Sequence, residues 1–260
     1  MKDPVVVVGI GEMGGVFARG FLRAGRPVFP VTRGTAPEAV AAAVPKPALA
    51  LVAVAERDIH PVLGDLPSTW RDRVGLLQNE LLPRDWKRHG LEQPTVIAVW
   101  FEKKKGQDVK VILPSPVHGP RTPLIAEALE QLEIPVRVLE SEQALEFELV
   151  RKNLYILTTN IAGLEAGGTV GSLWSRHREL AEAVAEDVLS IQEVLVGHAL
   201  PREALIDAMV TAFEADPDHG CLGRSAPQRL QRALQLADDA GLEVPTLRRI
   251  ASRHLRAGAD

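Results

Sequence analysis

Three glycines near the start of the chain have the spacing of a turn that can bind a phosphate group. They stand in the segment Gly9-Ile10-Gly11-Glu12-Met13-Gly14, which directly follows a run of four valines. The first glycine of such a turn permits a sharp bend, the second lets the backbone approach a pyrophosphate, and the third lets helix and strand pack closely. We therefore predict that Gly9, Ile10, Gly11, Glu12, Met13 and Gly14 bind a dinucleotide. The alternative is a glycine turn that serves packing alone.

The residues about 20 positions later indicate which dinucleotide this would be. Sites that prefer NAD usually place Asp or Glu there, where the carboxylate binds the ribose 2′-hydroxyl. Here the segment reads Val31-Thr32-Arg33-Gly34, and no acidic residue follows before Glu38. The guanidinium of Arg33 can pair with a 2′-phosphate and the hydroxyl of Thr32 can donate to it. We predict NADP(H) as the cofactor, with Thr32 and Arg33 as binding residues; otherwise Arg33 is an ordinary solvated arginine.

The elements that must position this turn alternate between short β-rich runs and helices. Helices are predicted over residues 14–23 and 123–133. Strands are predicted over residues 5–8, 28–31, 49–54, 74–77, 95–99, 109–113 and 136–139. This alternation is typical of a mostly parallel sheet with helices on its faces.

The β pattern stops at about residue 141, and the rest of the chain has helical patterning. The predicted helices cover residues 142–164, 176–196, 202–214, 226–240 and 246–255. Glycines and prolines at their ends are typical stop and start residues. The predicted fold class is α/β, with a Rossmann-type NADP-binding domain over residues 1–141 and an all-helical domain over residues 142–260.

Composition excludes several classes of protein and site. The 260 residues carry a net charge of -4, which gives no reason to expect a nucleic-acid partner. A single cysteine, Cys221, excludes a disulfide framework and multi-cysteine metal sites. The valine run is far shorter than the ~20 apolar residues of a membrane span. We expect a soluble cytoplasmic protein without membrane or metal partners, and interpret the segment Asp216-Pro217-Asp218-His219 as a turn between helices.

Several further segments resemble the ketopantoate reductase family, within the 6-phosphogluconate dehydrogenase-like group. The resemblance extends over nearly the whole chain and indicates a divergent member. It includes the glycine turn and Thr32-Arg33. The other segments are Leu76-Leu77-Gln78-Asn79-Glu80, Pro116-Val117-His118-Gly119-Pro120, Arg151-Lys152-Asn153, Thr158-Thr159-Asn160 and Gly241-Leu242-Glu243-Val244-Pro245-Thr246.

The resemblance implies an NADPH-dependent reductase of a 2-oxo acid or a related small carbonyl compound. It implies that Lys152 is the general acid that protonates the ketone oxygen and that Asn160 holds the substrate. Asn79 would lie near the nicotinamide ribose and the substrate. At 100° per residue, Lys152 and Asn160 lie within about 80° of each other on a helix. The helical domain would bind the substrate and support a possible homodimer.

The sequence departs from the family at two positions that contact the substrate. Ile156 stands where the family has an asparagine, and Arg224-Ser225 stands where it has a glutamate. Ser225 is therefore the candidate substrate-binding residue there, although Ser before Ala226-Pro227 also fits a helix N-cap. We expect ketopantoate itself to be a poor substrate.

These departures leave a second function open. An NADP-binding sensor or scaffold protein that has lost efficient catalysis would keep the glycine turn without needing a complete substrate site. Lys152 would then be an exposed helix lysine and Asn160 a polar helix residue. The reductase is favoured by the combination of Lys152, Asn79 and Asn160.

Overall fold

The computed structural model describes residues 2–255. The chain divides into two compact units, Met1–Leu149 and Val150–Asp260. The first unit contains the β-sheet and the second is all helical, which confirms the predicted fold class. The boundary between the units falls within one long helix, Glu142–Ala166. Met1 and residues 256–260, at the ends of the two predicted domain ranges, lie outside the described residues.

A seven-stranded sheet forms the centre of the first unit, in the order β2-β1-β3-β4-β5-β8-β9. All neighbours from β2 to β5 are parallel, β8 is antiparallel to β5, and β9 is parallel to β8. The strands of this sheet are β1 (Val5–Val8), β2 (Val28–Val31), β3 (Leu49–Val52), β4 (Val74–Leu76), β5 (Thr95–Ile97), β8 (Ser115–His118) and β9 (Val136–Val138).

Helices cover the sheet and bury its central strands. The four valines of β1 and the four residues of β3 are buried, as expected of strands covered on both faces. Two helices, α1 (Glu12–Arg23) and α5 (Thr122–Glu130), can pack closely because Gly20 has no side chain. A Cβ at Gly20 would lie only 2.3 Å from the carbonyl oxygen of Ala128. The remaining helices of this unit are α2 (Pro37–Ala43), α3 (Ile59–Gly64), α4 (Pro83–Lys87) and two 3-10 turns, Glu56–Asp58 and Ser68–Arg73.

The prediction of a sheet strand over residues 109–113 is wrong. Lys110–Val111 (β7) pairs with Phe101–Glu102 (β6) in a separate antiparallel hairpin. The strand that occupies this place in the sheet is β8, whose sequence Ser-Pro-Val-His carries an interior proline and was not among the predicted strands. Pro30, by contrast, lies in an edge strand, where a missing N–H need not break a ladder.

Between residues 142 and 255, six helices make up the helical part of the chain. The predicted single helix over 176–196 is wrong at its start: α7 ends at Arg176 and α8 begins at Arg178. Gly197 ends α8 in the left-handed conformation, with φ 84°. The six are α6 (Glu142–Ala166), α7 (Val170–Arg176), α8 (Arg178–Val196), α9 (Arg202–Ala215), α10 (Ala226–Asp239) and α11 (Pro245–His254).

A buried carboxylate anchors the last helix of the second unit. Asp187 of α8 accepts hydrogen bonds from the backbone N–H groups of Thr246 and Leu247, at 2.8 and 3.0 Å. These are donors of the first turn of α11, which have no partner within their own helix. Across residues 2–255, no helix has both the length and the apolar character needed to cross a membrane.

Candidate active site

The three glycines of the turn after β1 have different surroundings. Gly9 has φ +92°, and a Cβ there would lie 2.8 Å from the carbonyl oxygen of Ala53. A Cβ at Gly14 would lie 2.0 Å from the carbonyl oxygen of Gly9. Apart from its own chain neighbours, no described residue has an atom within 4 Å of the corresponding position at Gly11. Packing therefore explains the glycines at 9 and 14, whereas the one at 11 opens onto free space.

This arrangement fits a dinucleotide. The helix α1 begins at Glu12, and no side chain caps its first turn. The N–H groups of that turn, with the bare backbone of Gly11 beside them, can hold a pyrophosphate. Ile10 and Glu12 are exposed and Met13 is partly exposed, so the predicted binding residues border a surface that a cofactor can reach.

Thr32 and Arg33 follow β2, the strand next to β1 at the sheet edge. The backbone turns at Thr32, whose carbonyl oxygen accepts from the N–H of Thr35 at 2.9 Å, while their two hydroxyls are 3.0 Å apart. The Arg33 side chain is exposed. Exposure fits both interpretations of Arg33, so its pairing with a 2′-phosphate remains a prediction.

The loop that carries Asn79 is fixed to the neighbouring strand by hydrogen bonds. Gln78 is 7% exposed, and its Nε2 donates to the carbonyl oxygens of Val52 at 2.8 Å and Val54 at 3.3 Å. The Asn79 Nδ2 donates to Glu56 Oε1 at 3.1 Å. Glu56 and Gln78, which the sequence did not single out, therefore position Asn79 at the carboxyl ends of β3 and β4.

Lys152 lies on α6 and is partly exposed. Burial, together with the positive charges of Arg229 and Arg151, lowers the pKa of its ammonium group from 10.5 to about 7. A lysine with a pKa near neutrality can exchange a proton with a substrate at physiological pH. Ile156, one turn later on the helix, is buried at 8% exposure and presents only an apolar surface.

Asn160 lies two turns beyond Lys152 and has both ends of its amide engaged. Its Nδ2 donates to the carbonyl oxygen of Cys221 at 3.2 Å, and its Oδ1 accepts from Arg229 Nη1 at 2.8 Å. A Cβ at Gly223 would lie 2.7 Å from Asn160 Oδ1, so the backbone before α10 runs directly against this contact. The structure thus joins Asn160 to Arg229, a residue that the sequence did not indicate.

Ser225 occupies the N-cap position of α10, as one of the two interpretations required. Its side chain is exposed and makes no capping hydrogen bond, while its carbonyl oxygen accepts from the N–H of Arg229 at 2.9 Å. Among residues 2–255, no group of three or more His, Cys, Asp or Glu side chains could hold a metal ion.

Arg229 could have been recognised from the helical pattern of α10. The buried residues of this helix include Ala226, Leu230 and Ala233, and Arg229 falls within the same stripe with 9% exposure. A charged residue on the buried face of a helix is uncommon and needs a partner or a function. That signal stands in the sequence, but only the structure shows that the guanidinium reaches Asn160.

Comparisons with known proteins identify solved structures that have the same architecture. No protein-family model matches the sequence, and no curated protein matches it. Solved structures do match over nearly the full length of both chains. A 2-dehydropantoate 2-reductase from Methylococcus capsulatus has a TM-score of 0.70 at 14% identity, covering 99% of this chain and 98% of that one.

Two more structures show the range of these relatives. A dimeric ketopantoate reductase from Staphylococcus aureus has a TM-score of 0.66 at 15% identity and covers 97% and 98% of the two chains. A D-mandelate dehydrogenase in complex with NADH has a TM-score of 0.67 at 12% identity, with coverage of 97% and 98%. The chain therefore has the fold of the ketopantoate reductases, as the resemblance in its sequence predicted.

Proposed function

We propose that this protein is a divergent member of the ketopantoate reductase family that reduces a 2-oxo acid or a related small carbonyl compound with NADPH. The observation that carries the proposal is Lys152, whose pKa is lowered to about 7 on a helix face that also bears Asn160. Structural relatives that are ketopantoate reductases and a mandelate dehydrogenase support the substrate class.

Each group of residues has one task in the proposed reaction. Gly9, Gly11 and Gly14 would hold the pyrophosphate, and Arg33 would pair with the 2′-phosphate. A bound nicotinamide supplies a hydride to the carbonyl carbon. The Lys152 ammonium donates its proton to the carbonyl oxygen, which becomes a hydroxyl, and the neutral amine then takes a proton from water. Asn79 and Asn160 orient the substrate and cofactor around this transfer.

The cofactor assignment is tested by the preference for NADPH over NADH. A guanidinium on the 2′-phosphate should give NADPH at least ~10-fold tighter binding, equivalent to about 1.4 kcal/mol. Arg33→Ala should abolish the preference, as measured by fluorescence titration with both nucleotides, whereas Arg57→Ala, at another exposed arginine of the same unit, should keep it. An unchanged preference in Arg33→Ala would remove Arg33 from the site.

The substrate is tested by NADPH consumption against a panel of 2-oxo acids. Because Ile156 is apolar and Ser225 carries no carboxylate, the site should prefer a 2-oxo acid with an apolar side chain over ketopantoate, whose hydroxyl needs polar partners. Reduction of ketopantoate as efficient as that of the best other substrate would contradict this preference. Tight NADPH binding without consumption of any panel member would instead favour the sensor or scaffold function, which Ile156 also allows.

We propose a soluble cytoplasmic homodimer as the working form. The dimeric ketopantoate reductase from Staphylococcus aureus supports the assembly. Light scattering after gel filtration should give about twice the 28.2 kDa mass of one chain.

A further inference from the structure

We propose that the first unit carries a second anion site, which binds a dianionic phosphate group at the edge of the sheet opposite the glycine turn. The glycine turn follows the carboxyl end of β1, whereas this site lies at the amino ends of the parallel strands. Arg26, Lys46 and Arg73 stand there, shortly before β2, β3 and β4. The inference does not depend on the proposed reductase function.

The site is a cavity of about 350 Å³, which falls in the ~300–1,000 Å³ range of small-molecule sites. Four basic residues line it: Arg26, Lys46, Arg73 and Arg121. Among the described residues that line the cavity, Asp3 supplies the acidic side chain. Arg121 reaches this edge because it follows β8, which is antiparallel to β5. Three strand starts and one strand end therefore bring positive charge to one cavity.

Two of these cations are held by carboxylates. Arg26 pairs with Glu127 at 3.2 Å. Arg73 donates to both carboxylate oxygens of Asp72, at 2.8 and 2.7 Å. These contacts fix the two guanidinium groups at the cavity wall and use up the carboxylates nearest to them.

The other two cations, Lys46 and Arg121, have no such carboxylate. Neither side chain forms a hydrogen bond or a salt bridge with any residue from 2 to 255, and the buried Nε of Arg121 has no acceptor there. Asp72 has a lowered pKa, chiefly because of its hydrogen bond from Arg73, with the charge of Arg121 acting in the same direction. One carboxylate that faces two guanidinium groups leaves positive charge unbalanced, and an anion in the cavity would balance it.

The charge excess and the wall chemistry indicate a phosphate group. The cluster has two more cations than carboxylates, and a phosphate monoester carries a charge of about −1.5 to −2 at pH 7. Guanidinium groups match phosphate oxygens in geometry. Pro47 and Leu124 give the cavity an apolar wall that can contact the carbon atoms of a small monoester. The members of the cluster are Lys2, Arg26, Lys46, Arg73 and Arg121, with Asp3, Asp72 and Glu127.

Calorimetry with the full-length protein at pH 8 and constant ionic strength tests the site with glycerol 3-phosphate, inorganic phosphate and glycerol. Both phosphates should bind and glycerol should not. Arg121→Gln and Lys46→Gln should each weaken phosphate binding at least ~10-fold, because each removes a charged donor. Arg121→Lys, which keeps the charge but loses the fork, should lie between Arg121→Gln and the original protein. Arg57→Gln, at an exposed arginine that pairs with Asp58 in the same unit, should bind like the original protein.

The outcomes also identify the source of the phosphate group. Tighter binding of glycerol 3-phosphate than of inorganic phosphate supports a monoester as the ligand, and equal binding supports free phosphate. No binding of either by the original protein, or equal binding by Arg121→Gln, Lys46→Gln and Arg57→Gln, would overturn the site. Loss of phosphate binding in Arg33→Ala but not in Arg121→Gln would place the phosphate beside β2 and overturn it as well.

Folding is controlled by the choice of variants. The thermal unfolding midpoint of Arg121→Gln without phosphate should equal or exceed that of the original protein, because the substitution removes a cation that has no carboxylate of its own. Lys46 is exposed, so Lys46→Gln decides the comparison with Arg57→Gln if Arg121→Gln does not fold.

Discussion

Lys152 is the residue on which the proposed proton transfer depends most directly. General acid catalysis by a positioned side chain contributes ~10²–10⁴ in rate. Lys152→Met should therefore lower kcat by about that factor, while NADPH affinity, measured by fluorescence, changes little. Lys87→Met, at an exposed lysine at the end of α4, should keep kcat. Near-normal kcat in Lys152→Met would mean that the proton comes from another group.

The lowered pKa of Lys152 sets the expected pH dependence of reduction. Donation requires the ammonium form, which is present below the pKa of about 7. The value of kcat/KM should therefore be constant at low pH and fall about tenfold per pH unit above about 7. The corresponding fall in kcat should begin at a higher pH, because the carboxylate of the bound substrate stabilises the ammonium form of Lys152 and so raises its pKa. Rates that do not fall between pH 7 and 9 would contradict the assignment.

The same pKa makes a prediction about stability. Lys152 has a pKa of about 7 in the folded protein and 10.5 as its ordinary value. Between these values the unfolded chain binds more protons, so the free energy of unfolding rises with pH across this window. Lys152→Met does not have the unfavourable free energy of burying the Lys152 ammonium. Its unfolding free energy should therefore exceed that of the original protein most clearly below pH 7, where this ammonium is fully protonated in the folded protein. Urea unfolding at pH 6 and pH 9.5 measures the difference; a gain that does not shrink at high pH would contradict it.

In the turn between β1 and α1, different glycines can be used to test packing and cofactor binding separately. In Gly14→Ala the added methyl group would lie 2.0 Å from the carbonyl oxygen of Gly9, so both stability and NADPH binding should be lost. In Gly11→Ala the methyl group would enter free space, so the thermal unfolding midpoint should stay while NADPH affinity falls. Gly64→Ala, also in free space but at the end of α3, is the matched control and should bind NADPH normally.

Thermal unfolding and fluorescence titration of the three variants give the result. NADPH affinity in Gly11→Ala equal to that of Gly64→Ala would support the alternative in which the turn serves packing alone.

Local sequence patterns predicted the elements whose residue types directly indicate whether they are buried or exposed. The valines of β1 are buried on both faces, and the turn glycines follow them in the chain, so sequence alone located this strand and the turn after it. β8 was not predicted because Pro116 interrupts the residue pattern that is typical of a strand. Its strand conformation is evident only from its pairing with β5 and β9. Arg229 was missed for a related reason, since its partner Asn160 is 69 residues away. Contacts over such distances depend on packing that no local pattern contains.

At the scale of the whole molecule, the proposed tasks divide between the two units. The residues assigned to the dinucleotide all lie in Met1–Leu149, while Lys152 and Asn160 lie in Val150–Asp260. Each ligand should therefore protect a different set of backbone amides from hydrogen exchange. NADPH should slow exchange in residues 9–15 and 31–35, and oxamate, an analogue of a short 2-oxo acid that is not reduced, should slow it in residues 152–160 when added afterwards.

The size of the protection follows from mass action. A ligand at 100 times its Kd stabilises the state that binds it by about 2.7 kcal/mol, so amides that exchange through opening of that unit should slow by about 100-fold. Oxamate should give this protection to residues 152–160 and leave the NADPH protection of residues 9–15 in place. If oxamate instead protects residues 9–15 and leaves 152–160 unchanged, the acid binds in the first unit, and the assignment of the substrate to Lys152 and Asn160 of α6 is wrong.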